Sequence, residues 1–95
     1  MLFVVHCLDK PDGLPRRLAT YDEHKARLAK NEVPSVISGP LVADDGTTMI
    51  GSMFILDAER KADVEAYISA DPFAKADVWA SVSIEAFIMR IDNRR

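Results

Sequence analysis

A single cysteine, Cys7, stands in the chain, so no internal disulfide can form. No apolar run approaches the ~20 residues that a membrane helix needs. The opening Met1-Leu2-Phe3-Val4-Val5 has neither the basic segment nor the long apolar core of a secretory leader. These features lead us to expect a soluble protein of the reducing cytoplasm with no membrane partner. The four glycines form neither a dinucleotide fingerprint nor a phosphate-binding loop, which argues against a nucleotide cofactor. His6 and His24 are far apart, with no HxxxH spacing and no cysteine pair, so no metal site is expected either. Charge is also unremarkable in sign: 15 acidic and 12 basic residues leave a net −3, scattered along the chain. That distribution is not the basic stripe nucleic acid requires, and Arg90, Arg94 and Arg95 read as a solvated tail. Repeats, low-complexity stretches and linkers are absent too.

What is present is apolar content, 48 % of 95 residues, enough for one core and too few for two. Residues 1–95 therefore read as a single domain. A chain this short buries about 60 to 65 % of its unfolded surface, which leaves it marginal unless a neighbour covers more apolar area. An oligomer is expected.

Leu2 to Leu8 are apolar or β-favouring and form a first strand. Pro11 and Gly13 break the pattern, and Pro15 sits where a helix tolerates it, near the first turn. The helix runs to about Asn31, with Leu14, Leu18, Tyr21 and Leu28 on its apolar face and Arg16, Asp22, Glu23, Lys25, Arg27 and Lys30 mostly pointing elsewhere. Pro34 ends any continuation. Val36–Val42 and Met49–Leu56 are strands joined through Asp44-Asp45-Gly46, a hairpin turn. Helical spacing returns from about Arg60 to Ala70, offering Ala62, Val64, Tyr67 and Ile68 to the core. Asp71-Pro72 stops it, because the residue before proline leaves the α region. Phe73–Val78 reads as a short turn or helix, and Val82–Ile91 as the last strand, with Val82, Ile84, Ala86 and Ile88 on one side.

The order βαββαβ describes an α+β, ferredoxin-like domain, with both helices on one face of an antiparallel sheet. Phe3, Val5, Met53, Ile55 and Phe87 supply apolar side chains to both sheet faces. The open face is therefore expected to meet a second copy of the chain, giving a homodimer with a barrel-like interface.

Arg17, Tyr21, His24 and Leu28 share one stripe of the first helix, at its border with the buried face. An imidazole titrates near neutrality and exchanges protons with a substrate, so His24 beside Arg17 is an acid–base candidate. A lone helix histidine is more often a boundary residue bonded to backbone or water. Asp71, at the end of the second helix, holds a turn by accepting backbone N–H bonds. Because the fold brings both helices to one face, Asp71 can also meet His24, fix its tautomer and raise its basicity. Gly39-Pro40-Leu41 and Gly51-Ser52 flank the hairpin, and Ser52 can offer a hydroxyl to a substrate oxygen. No elbow motif supports Ser52 as a nucleophile.

His24, Gly39-Pro40-Leu41, Asp45-Gly46, Gly51-Ser52, Asp71-Pro72-Phe73 and Ile84-Glu85-Ala86-Phe87 together resemble the YCII-related family across nearly the whole chain. The resemblance implies a dimeric α+β barrel of ferredoxin-like fold and an active site centred on a histidine and an aspartate, here His24 and Asp71. One activity attached to that family is loss of HCl from a chlorinated hydroxyhydroquinone, a cofactor-free lyase step in the breakdown of chlorinated aromatics. On that reading the partner is a small aromatic substrate. His24 moves the proton, Asp71 orients the imidazole, and Arg17 and Ser52 bind substrate oxygens. Tyr21, Phe73 and Trp79 offer apolar walls, a role that core packing explains equally well. An isomerase or lactone-handling enzyme would use the same pair, and a non-catalytic ligand-binding module fits the same architecture.

Overall fold

Proline, glycine and aspartate set the element ends. In the computed structural model, which describes residues 1–94, the chain runs β1 (Leu2–Asp9), α1 (Leu14–Ala29), β2 (Ser35–Val42), β3 (Met49–Asp57), α2 (Lys61–Ser69), α3 (Pro72–Lys75) and β4 (Trp79–Phe87). Pro15 lies in the first turn of α1, where its missing N–H costs nothing. The β2–β3 turn closes with Gly46 at φ 77, a left-handed conformation that favours glycine, while the Asp45 carboxylate accepts the N–H groups of Thr47 and Thr48, each at 2.9 Å. Asp71 is extended and caps α3 by accepting the Phe73 N–H.

All pairings are antiparallel, in the order β2-β3-β1-β4, with the helices on one face. The fold is a ferredoxin-like α+β domain. Register places Phe3, Val5 and Cys7 beside Leu56, Phe54 and Ser52 of β3 and beside Ala86, Ile84 and Val82 of β4. Phe3, Val5, Cys7, Phe54 and Leu56 join Val64, Tyr67, Ile68, Phe73, Val78 and Trp79 in the core. On the opposite face lie Val4, Met53, Ile55, Ile37 and Phe87, and the C-terminal segment crosses part of it, with Arg94 donating to the Val36 carbonyl at 3.3 Å.

Four expectations are corrected. The last strand is Trp79–Phe87 rather than Val82–Ile91: it starts at the Asp9–Trp79 pairing beyond a bulge and stops at Phe87, where its partner β1 runs out at Leu2. The inward stripe of α1 is polar. Arg17 and His24 are its buried residues, Leu14, Tyr21 and Leu28 are half-buried, and Leu18 is 56 % exposed, because carboxylates at Asp9 and Asp71 wait beneath the helix. Arg27 turns toward the interior rather than away from it, over Tyr67. Ala62 is exposed, whereas Val64, Tyr67 and Ile68 are buried as expected. Of the C-terminal arginines, Arg90 and Arg94 are exposed, as expected of a solvated tail, with Arg94 also bonded to Asp92 and Val36, and Arg95 lies outside the described residues. Among the described residues, no helix is long and apolar enough to cross a membrane.

Candidate active site

α1 crosses the helix-covered side of β1 and β3, and its inward line Arg17, Tyr21, His24 and Leu28 makes one wall of a cleft of about 190 Å³. Ser38, Gly39 and Pro40 of β2 stand opposite, Ser52 and Phe54 of β3 form the base, and Lys25 lies at the rim. Of the residues singled out in the sequence, Arg17, Tyr21, His24 and Ser52 line this cleft directly.

His24 is 5 % exposed and Asp71 fully buried. The His24 Nδ1 lies 2.9 Å from Asp71 Oδ1 and 3.0 Å from Oδ2, so Nδ1–H donates to the carboxylate. Oδ1 accepts a second bond, from the Phe73 N–H, at 2.9 Å. That arrangement assigns the neutral imidazole's proton to Nδ1 and leaves Nε2, which makes no hydrogen bond among the described residues, as its basic atom. Asp71 itself lies behind the ring, outside the cleft lining.

Phe73 is also behind the site: fully buried and outside the cleft lining, it backs the imidazole instead of forming the expected apolar wall. The imidazole stacks on its ring with centroids 4.0 Å apart and planes within 15°, and the Arg17 guanidinium lies 4.5 Å from the same ring centroid. Trp79 meets Phe73 and Phe54 edge-on and is a core residue here.

Arg17 is 1 % exposed, and its charge is met by Asp9 in a two-pronged pair, Nε to Oδ2 at 2.7 Å and Nη2 to Oδ1 at 2.9 Å. Nη2 also donates to Ser52 Oγ at 2.7 Å. With its oxygen accepting from a cation, the Ser52 hydroxyl has its own proton free to donate into the cleft. Next to Ser52 in the sheet, Cys7 is not a reactive thiolate: burial first, then the Asp71 charge, pushes its thiol up to about 12.

Asp9, Arg27, Lys25 and Ser38 escaped the sequence reading. Asp9 carried a signal, a carboxylate ending an apolar strand one short loop before the helix bearing Arg17. Arg27 lies three residues after His24, on an adjacent helical line, so its inward turn was available from helical geometry. Among the described residues no cluster of three or more His, Cys, Asp or Glu side chains is placed to hold a metal ion.

The fold and the site define a ferredoxin-like α+β domain whose buried imidazole–carboxylate pair opens on a small cleft. The chain belongs to the YCII-related domain family, whose model matches residues 1–88. It is 33 % identical over 94 residues to protein YciI of Escherichia coli O6:H1, covering 92 % of this chain and 96 % of that one. An uncharacterized protein of Haemophilus influenzae is 29 % identical over the same span. Among solved structures, it resembles the 5-chloro-2-hydroxyhydroquinone dehydrochlorinase TftG of Burkholderia phenoliruptrix AC1100, in complex with 2,5-dihydroxybenzoquinone. The TM-score is 0.85 at 30 % identity, over 93 % of this chain and 94 % of that one.

Proposed function

We propose that this protein is an acid–base enzyme acting on a small hydroxylated aromatic compound, and that its reaction is HCl elimination from a chlorinated hydroxyhydroquinone. The observation that carries the proposal is the His24 imidazole, fixed at Nδ1 by Asp71 and left with Nε2 as its one unengaged nitrogen at a cleft. The likeness to the dehydrochlorinase TftG supports the choice of reaction.

The chemistry is within reach of these residues. A proton is delivered to the ring carbon that bears chlorine while a neighbouring hydroxyl gives up its own. A second hydroxyl proton then leaves, its electron pair pushes through the ring, and chloride departs with the C–Cl pair. The ring is left as a hydroxyquinone, and the sum of what is lost is HCl. The ring is oxidised as the carbon–chlorine bond is reduced, so no external oxidant is consumed. His24 passes the protons, Asp71 holds the imidazole, and the Ser52 hydroxyl, polarised by Arg17, donates to the oxygen that gains phenolate character. Tyr21 and Phe54 present aromatic surface to the substrate ring, and Phe73 supports the imidazole from below.

The test is product analysis on a panel of chlorinated and unchlorinated hydroxyquinols. Stoichiometric chloride with hydroxyquinone is expected from the chlorinated members. Turnover without chloride release, or none, overturns the reaction. The same reading includes a homodimer built on the open sheet face, where Ile37 and Phe87 are 37 % and 36 % exposed. Light scattering at micromolar concentration should give twice the chain mass, and a strict monomer removes that part of the proposal.

A further inference from the structure

Behind the His24–Asp71 pair stands a guanidinium that the reaction above leaves unused. Arg27 follows His24 by one turn of α1, and its guanidinium carbon sits 4.1 Å from the ring centroid of Tyr67 on α2. Its Nη1 is buried and donates no hydrogen bond. That nitrogen stands 3.6 Å from Asp71 Oδ2, an ion-pair distance too long for a hydrogen bond. The hydrogen bonds to the Asp71 side chain come from His24 and the Phe73 N–H, so Arg27 acts on the carboxylate through charge alone.

A fully buried carboxylate needs a compensating cation nearby or it takes up a proton. The charged and titratable groups around this one are few. From β1, Cys7 remains a thiol and Asp9 is occupied by Arg17. From α2, burial pushes the Tyr67 phenol up, so it is neutral. Lys25 of α1 is exposed at the rim, 3.8 Å from Asp22 and 4.6 Å from the Tyr21 ring centroid. Two cationic possibilities remain for Asp71: a protonated His24, or Arg27.

We infer that Arg27 is the standing counter-ion of Asp71, a positioning residue that lets His24 work as a neutral, proton-accepting imidazole beside a buried carboxylate. Without Arg27 the carboxylate's whole charge falls on the imidazole and favours its protonated form. With Arg27 in place, 3.6 Å from Oδ2, the carboxylate's charge is shared between the guanidinium and the ring it orients. This deepens the reading of His24 as the proton carrier and rests on it for its catalytic meaning.

The experiment needs no substrate. The imidazole proton of His24, assigned by its absence in H24Q, is titrated by NMR in wild type, R27M and R27K. R27M is expected to move the His24 midpoint upward by about one pH unit, the size of an opposite-charge effect at this range. R27K keeps the charge and stays near wild type. If R27M does not fold, R27Q carries the same expectation. An unchanged or lowered midpoint in the neutral variant overturns the inference, and so does an R27K midpoint as high as that of R27M, which would make the effect one of packing. Failure of the wild type to release chloride from every hydroxyquinol would remove the proposed reaction and leave this titration standing.

Discussion

The Phe73 N–H donates to Asp71 at 2.9 Å, and the Phe73 ring lies flat under the imidazole that Asp71 holds. One tight turn, Asp71-Pro72-Phe73, therefore supplies both the partner that fixes the rotation of His24 and the surface that fixes its plane. Pro72 makes this possible locally, since it keeps Asp71 extended and lets its side chain cap α3.

Asp71→Asn keeps the size of the side chain and removes its charge. The amide can present its NH2 group to Nδ1 and so hold the opposite tautomer, with the proton on Nε2. We expect kcat to fall roughly 10²-fold or more, with little change in KM, because the defect lies in the proton carrier and not in substrate binding. Steady-state kinetics on a chlorinated hydroxyquinol, with circular dichroism to verify the fold, measures this. A rise in KM with kcat intact would assign Asp71 to binding instead.

Ser52→Ala removes the hydroxyl that Arg17 polarises and leaves a buried Nη2 donor with Asp9 as its remaining acceptor. A donor aimed at a developing oxyanion is worth on the order of 10²-fold in rate. We expect that loss in kcat/KM, with the pH dependence unchanged because Ser52 does not titrate. A variant as active as wild type would show that the substrate oxygens lie elsewhere.

Much of the fold was legible because its signals are local. Pro15, Pro34, Asp45-Gly46 and Asp71-Pro72 each act on the backbone of their own neighbours, and each sits at or beside an element end. The polar interior was harder. Helical periodicity treats Arg17 as a border residue, and only the carboxylate of Asp9, delivered by the end of β1, makes its burial affordable. Leu18 was misassigned for the same reason, since the face it would have shared with the core belongs to Arg17 and His24. The start of β4 at Trp79 depends on pairing across the sheet with Asp9, information that no window of neighbouring residues contains. His24 and Asp71 were within reach because fold order alone brings both helices to one face.

Stability should weaken on the alkaline side. The Cys7 thiol is pushed from its ordinary 9.0 up to about 12, chiefly by burial, and burial also raises Tyr67 from 10.0. Above pH 9 the unfolded chain gives up the cysteine proton while the folded chain keeps it. The stabilisation is full below that pH and is lost as pH rises toward 12, by about 1.4 kcal/mol per unit from Cys7. Urea midpoints measured from pH 8 to 11 should decline, less steeply in Cys7→Ala. A flat profile, or one unaffected by that substitution, contradicts this.

The most direct measurement compares wild type and His24→Gln in chloride release from 5-chloro-2-hydroxyhydroquinone, each verified as folded by circular dichroism. The account predicts one chloride per hydroxyquinone from the wild type and a loss of rate on the order of 10²-fold to 10⁴-fold in the variant. A His24→Gln enzyme that releases chloride at the wild-type rate would contradict it, because the account assigns the proton transfer to the His24 imidazole.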